Sequence, residues 1–415
     1  MGTQPVSEDH GEQPALQRRL NLPLLVLYGL GVTIGAGIYV LVGETAGKAG
    51  YYAPISFVCA AIVVAFTGFS YAELATRYPV SAGEAAYVKD GFRSSRLSAL
   101  IGILVVASGV VSSAAVSLGA AAYLQTLIPL PHWLLLGAII LSVGLISIWG
   151  ILESVSVASL VTLVEIGGLI MVIYFGVSLE PDSIKDVGKL IPPFEAAAWS
   201  GILSAGLLAF FAFVGFEDIA NVAEEVKNPY KTMPRGIFLT LIVATILYVL
   251  VVSVAVLVVP LADLAGSKAP LALIFASGPV WVAKFFGSVA FFATLNGVLI
   301  QTIMASRVIY GMGKQETLPE WFAAVHPVTR TPIHATLVVV GIILFLAYFL
   351  PIGRLAETTS LIVLTVFFFV NIALILLKIR QTEPVAETVY TVPMLVPVLG
   401  TLTCVGLISA RFLAG

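Results

Sequence analysis

Glu165 is a lone carboxyl with about ten apolar or small residues on either side. Desolvation in such a run penalises the charged form. An ionisable group there usually marks a pathway or a proton relay. Three roles are open to it: carrier of a coupling proton, ligand to a cation, or a permanently protonated group bonded to a neighbouring helix carbonyl. Glu217 and Asp218 close a second apolar run, Phe-Phe-Ala-Phe-Val-Gly-Phe-Glu-Asp over residues 210–218. Glu217 is the stronger candidate for a pathway role, and Asp218 is expected to reach water at the cytoplasmic end.

A further chemistry belongs to the backbone. Residues 30–39 read Leu-Gly-Val-Thr-Ile-Gly-Ala-Gly-Ile-Tyr, so Gly31, Gly35 and Gly37 fall within seven residues of an apolar run. Each glycine weakens a helix by about 1 kcal/mol relative to Ala. Gly31 and Gly35, four apart, also suit close helix packing. A broken helix frees N–H groups at one half-helix N-terminus, which favours an anion. It frees carbonyls at the other half's C-terminus, which favours a cation. Two such breaks facing each other suit a substrate with both carboxylate and ammonium, which describes an α-amino acid.

Other chemistries lack their residues. Cys59 and Cys404 lie in apolar runs with no metal spacing, and His10, His132, His326 and His334 are scattered. No metal site, catalytic group or cofactor is expected. A membrane-embedded enzyme would need a nucleophile–base pair or clustered ligands, and no Gly-x-x-x-x-Gly-Lys-Ser/Thr string for a nucleotide is present.

The elements that must position these groups follow from composition. Of 415 residues, 59% are hydrophobic and 11% are charged. That excludes a soluble globular enzyme and a disordered chain. With Lys+Arg 21 against Asp+Glu 23 there is no basic field for nucleic acid. Long continuous apolar runs, rather than alternation, argue against a β-barrel. The apolar bulk allows about twelve spans of roughly 20 residues, and eleven are predicted, over 22–43, 52–76, 97–124, 134–150, 154–178, 199–221, 236–259, 279–304, 333–350, 357–378 and 390–413. Residues 1–20 form a polar tail without the features of a secretory signal.

With the N-terminus in the cytoplasm, fourteen Lys/Arg fall inside and seven outside, which supports that orientation. Eleven spans then put the C-terminus outside. Residues 77–96, with four basic residues, are expected to lie on the anionic inner leaflet. Asn228-Pro229 and Met233-Pro234-Arg235 are expected to form the turn between spans six and seven, and 179–198 the longest outer loop.

The glycine breaks fall in spans one and six. Spans one to five and six to ten would then form two repeats, and an odd repeat length forces opposite membrane orientations. Interrupted segments at corresponding places in two halves point to a secondary transporter's binding site. The predicted fold is therefore an all-α polytopic membrane protein with a five-plus-five inverted repeat, broken first and sixth helices and one additional helix. It divides into a tail at 1–20, a first repeat at 21–178, an outer loop at 179–198, a second repeat at 199–378 and a peripheral eleventh helix at 379–415.

At these residues the sequence resembles the amino acid–polyamine–organocation superfamily of permeases, most nearly its cationic-amino-acid-transporter-like branch. The matching pieces are Gly-Val-Thr-Ile-Gly-Ala-Gly-Ile (31–38), Tyr-Ala-Glu-Leu-Ala-Thr-Arg-Tyr-Pro-Val-Ser-Ala-Gly-Glu-Ala-Ala-Tyr (71–87), Phe-Val-Gly-Phe-Glu (213–217), Glu-Glu-Val-Lys-Asn-Pro-Tyr-Lys-Thr-Met-Pro-Arg-Gly-Ile (224–237) and Ser-Arg-Val-Ile-Tyr-Gly-Met (306–312). The resemblance implies a substrate site along Thr33, Ile34, Gly35, Ala36, Gly37 and Ile38, where amides around Ala36, Gly37 and Ile38 bind carboxylate. It implies a second wall along Phe211, Ala212, Phe213, Val214 and Gly215, where the carbonyls of Phe211, Ala212 and Val214 bind ammonium. Phe211, Phe213 and Phe216 are the implied gate, whereas Phe210 reads as packing. Glu217 matches an acidic position that the family uses in gating or proton-linked steps.

There are two departures from the pattern. Ala36 stands where several members have Ser or Thr, which removes a hydroxyl from the carboxylate site. Glu165 stands where many relatives have Lys in the fifth span, and it is the leading candidate for proton coupling. In the eighth span Thr294, Asn296 and Gln301 are secondary candidates; Thr294 and Gln301, seven apart, share a helix face. Ser108, Ser112 and Ser113 read as structural.

The predicted function is a secondary active amino acid permease working by alternating access, with proton symport. The alternatives are an exchanger without ion coupling, a polyamine transporter, or a non-transporting sensor on the same fold. The expected partners are an amino acid, the lipid of a plasma (inner) membrane and protons. No nucleic acid is expected, and the protein should be a monomer or weak oligomer. The family commonly has twelve spans, ten of them in the repeat core, so with eleven predicted here the twelfth is expected to belong to the C-terminal end, outside the core.

Overall fold

The computed structural model describes residues 18–35, 37–79, 83–149, 155–314, 318–329, 331–381 and 386–413. Among these, secondary structure is helical apart from an isolated parallel bridge between Leu20 and Val226. Eight segments are long and apolar enough to cross a membrane, and three shorter apolar helices accompany them. Each of the eleven predicted spans corresponds to a helix or to a broken pair.

The first span divides into α1 (Leu22–Ile34) and α2 (Ile38–Ala49). Asn21 starts α1, its side chain accepting from the Leu24 N–H at 3.1 Å, with Pro23 just inside where no N–H is needed. Then follow α3 (Ala53–Arg77), α4 (Gly83–Phe92), α5 (Ser95–Gln125), α6 (His132–Trp149) and α7 (Val155–Leu179). The second half has α8 (Ala196–Phe211), α9 (Pro229–Val258), α10 (Leu261–Gly266), α11 (Val280–Lys314), α12 (Ile333–Phe349), α13 (Ile352–Arg380) and α14 (Leu395–Leu413).

The sixth span also divides. After α8 the chain runs through 212–215 and resumes as a 3₁₀ helix, Phe216–Glu225. The C-terminal end of this segment is tied to the start of α1. Leu20 N–H donates to Glu225 O at 2.9 Å, and Lys227 N–H donates to Leu20 O at 2.8 Å.

Helix contacts repeat when spans one to five are exchanged for spans six to ten. α1 packs on α7 as α8 packs on α13, and α1 packs on α9 as α8 packs on α3. α5 meets α13 as α11 meets α7, while α3–α9, α5–α11 and α6–α12 are self-mated pairs. The short α4 packs on α13, α5 and the second half of span six. The 3₁₀ turn Pro270–Phe275 packs correspondingly on α7, α11 and α2.

Several local expectations are corrected. α4 does not offer its apolar face to a leaflet. Tyr87, Val88 and Gly91 are buried, and a β-carbon on Gly91 would lie 2.6 Å from the Ala373 Cα, so that face belongs to α13. Only residues 226–228 separate span six from α9. Pro229 opens α9, and Met233, Pro234 and Arg235 are already helical within it. The segment 179–198, expected as a plain loop, holds a 3₁₀ helix, Ser183–Leu190. Arg330, counted among the inside charges, lies outside the described residues.

Candidate substrate site at two helix breaks

The two breaks touch. A β-carbon on Gly37 would stand 2.3 Å from the Ala212 Cα and 2.8 Å from its nitrogen, so only a hydrogen fits between the two backbones. Gly215 has φ +116°, a region L side chains rarely adopt, and its own β-carbon would meet Val32 O at 2.9 Å. Glycine at these two positions is what lets the half-helices approach. Gly31, by contrast, lies against the Thr162 hydroxyl of α7, as helix packing requires.

Around the junction, Thr33, Ile34 and Ile38 are fully buried, with the Thr33 hydroxyl donating to Gly29 O at 2.7 Å. Ala36 lies outside the described residues. At the other break the chain tightens into 3₁₀ bonding: Phe213 N–H to Phe210 O at 2.9 Å and Val214 N–H to Phe211 O at 3.1 Å. The Phe211 carbonyl is thus already an acceptor.

The Tyr248 hydroxyl of α9 sits 2.9 Å from both Thr33 O and Ala212 O. Its ring packs edge-on against Phe213, centroids 5.1 Å apart. Phe216 packs between Tyr71 and Phe367, and Phe210 also rests on Phe367. Phe211 turns instead into the cluster of α5, α6, α11 and α12.

Glu165 projects from α7 to the first break. Its side chain is fully buried, and its Oε1 would lie 3.6 Å from a β-carbon on Gly35. Asn296 Nδ2 donates to Oε1 at 3.1 Å, while Oε2 has no hydrogen-bond partner among the described residues. Tyr39 O–H donates to the Glu165 backbone carbonyl at 2.6 Å, and Tyr123 O–H to Tyr39 O at 2.5 Å. Asn296, rather than Thr294, therefore meets Glu165. The Thr294 hydroxyl bonds within its own helix, to Ala290 O at 2.8 Å and Phe291 O at 2.9 Å.

A cavity opens beside Val214, lined by Glu84, Ser108, Glu217, Asp218 and Gln301. Glu217 Oε2 accepts from the Gly215 N–H at 2.8 Å, closing the break on itself. Asp218 does not reach water. It is buried at 6% exposure in a segment packed on α1, α3, α4 and α9, and it bonds Asn221 and Gln301. Glu84, on α4 outside the spans, accepts from Tyr71 O–H at 3.1 Å. Burial pushes its carboxyl above the usual range, partly offset by a backbone hydrogen bond and by that from Tyr71.

Tyr39, Tyr123, Tyr248 and Glu84 escaped the sequence reading. Three are tyrosines in apolar helices, which look like ordinary core until their hydroxyl partners are known. Ser108 bonds Val105 O at 2.8 Å, as a structural serine does, but the buried hydroxyls of Ser112 and Ser113 have no partner among the described residues.

An all-helical membrane protein with two discontinuous helices meeting inside it defines the class of polytopic permeases. The match to known proteins narrows this: residues 20–415 fit the family model for amino acid permeases, and the chain belongs to that family within the amino acid–polyamine–organocation superfamily. It is 30% identical to the branched-chain amino acid permease of Bacillus subtilis, over 97% of this chain and 90% of that protein. It is 31% identical to the methylthioribose transporter of the same organism, over 94% of this chain and 87% of that protein. Identity to the vacuolar cationic amino acid transporter 4 of Arabidopsis thaliana is 30%, over 89% of this chain and 64% of that longer protein.

Proposed function

We propose that the chain is a secondary active permease that moves an α-amino acid across a plasma (inner) membrane by alternating access, with symport of a proton. The observation that carries this reading is the backbone contact between Gly37 and Ala212. It brings the N-terminal end of α2 and the C-terminal end of α8 to one point, where the N–H end favours a carboxylate and the carbonyl end an ammonium. The amides around Ala36, Gly37 and Ile38 take the carboxylate. Carbonyls of Phe211, Ala212 and Val214 face the ammonium, and binding must then compete with the hydrogen bonds that Val214 N–H and Tyr248 already make to the first two. Phe211, Phe213 and Phe216 form the gate.

The proton passes through Glu165. Support for this is its buried carboxyl at the first break, held by Asn296 on one oxygen only. Glu217 responds to the state of the second break, because its carboxylate accepts from Gly215. The exchange-symmetric helix contacts support an inverted repeat whose halves move against each other about this junction. The Lys/Arg bias supports a cytoplasmic N-terminus.

The relatives named for branched-chain and for cationic amino acids share the α-amino acid headgroup, and a pair of facing breaks would read that headgroup. Melting of the purified protein with each of the twenty amino acids tests the reading. A saturable rise with at least one α-amino acid, absent with its decarboxylated amine, is expected. No rise with any of them would contradict it.

A further inference from the structure

The carbonyl of Thr33 lies in the last turn of α1 and that of Ala212 on the residue that caps α8, where intrahelical donors run out. Helix C-termini carry partial negative charge. Here two of them converge on one point in a buried apolar interior, where an unserved carbonyl is costly. A convergence of oxygen ligands of this kind suits a hard cation. The occupant in this protein is a hydroxyl: Tyr248 Oη lies 2.9 Å from both oxygens. Its position is fixed, since the residue is fully buried and its ring is wedged edge-on between Phe57, at 6.1 Å, and Phe213, at 5.1 Å. A phenol has one proton to share, so it satisfies the two carbonyls by a three-centre bond or by alternating between them.

We propose that the Tyr248 hydroxyl holds the place of a cation between the carbonyl ends of the two broken helices, pinning the breaks together and excluding an alkali ion from the junction. Tyr248 is in this sense a positioning residue: it acts on the backbone carbonyls that form the site. With an alkali ion excluded, the Glu165 carboxyl near the same junction is left to bind a proton. Removing the phenol should reopen the space that a cation would fill.

The test uses the purified full-length protein without any amino acid, so its outcome does not depend on the substrate reading. Melting is followed as choline chloride is replaced by sodium chloride at constant ionic strength, for the unmodified protein, Tyr248→Phe and Tyr248→Ser. The unmodified protein should melt identically in both salts. Tyr248→Phe, which keeps the ring but leaves both carbonyls unserved, should melt several degrees lower in both. Tyr248→Ser, which opens space, should melt lower in choline and recover saturably with sodium, a response that loss of ring packing alone would not produce. A saturable sodium effect on the unmodified protein would overturn the proposal. So would Tyr248→Phe melting like the unmodified protein, or a folded Tyr248→Ser indifferent to sodium.

Discussion

Gly37 and Ala212 meet backbone to backbone, so closely that a β-carbon on Gly37 would stand only 2.3 Å from the Ala212 Cα. These residues are 175 positions apart, one at the start of α2 and the other just past α8. Their contact joins the two places where an otherwise continuous helical bundle is interrupted.

Gly37→Val should force this contact apart. Overpacking of a close contact costs about 1–3 kcal/mol, and here the neighbour is backbone that cannot rotate away. Amino acid uptake should fall to background while the protein still inserts, as read by uptake and by detergent-resistant monomer yield. Gly215→Ala adds a β-carbon at φ +116° and against Val32 O, and should lower the melting point as well.

Glu165→Gln keeps the side-chain shape and the Asn296 contact but cannot bind and release a proton. Uptake driven by an inward proton gradient should stop concentrating substrate, so that internal and external levels equalise, while exchange of labelled for unlabelled substrate persists. Retained concentrative uptake would remove Glu165 as the carrier.

Glu84 gives a pH dependence of stability. Burial raises its carboxyl in the folded state, so the folded protein binds the proton more tightly than the unfolded chain. Stability is then greatest below the ordinary carboxylate range and declines as pH rises through the window up to the raised value. Glu217, Asp218, Tyr71 and Tyr87 face the same region. Glu84→Gln should flatten part of the decline in melting temperature with rising pH.

Glu73 joins the C-terminal ends of α3 and α13 to the chain just ahead of α14. Its buried carboxylate pairs with Arg77 at 2.5 Å and Lys378 at 2.7 Å, and accepts from the Val392 N–H at 2.8 Å ahead of α14. Removing one side of a buried pair costs about 3–5 kcal/mol. Glu73→Ala should therefore lower the melting point more than Lys378→Met, which leaves the Arg77 pair in place.

The spans were legible because apolar runs of membrane length have few alternatives, the broken first helix because its three glycines stand out in such a run, and the broken sixth because Gly215 is followed at once by two carboxylates. Glu165 was legible for the same reason, as a carboxyl where burial makes charge costly. Tyr248, Tyr39 and Tyr123 were not, since a tyrosine in an apolar helix says nothing about which carbonyl its hydroxyl will find 36 to 215 residues away. Asp218 was misplaced because a linear reading put it at the water boundary, whereas α4 folds back across that end of the bundle. The face of α4 failed likewise: an amphipathic segment looks the same whether lipid or the Ala373 region of α13 covers it.

Uptake of labelled amino acids into proteoliposomes holding the purified protein, under an inward proton gradient, tests the central claim most directly. At least one α-amino acid should accumulate above its external concentration, and a protonophore should abolish that accumulation. Uptake no greater than in empty liposomes for all twenty would contradict the account.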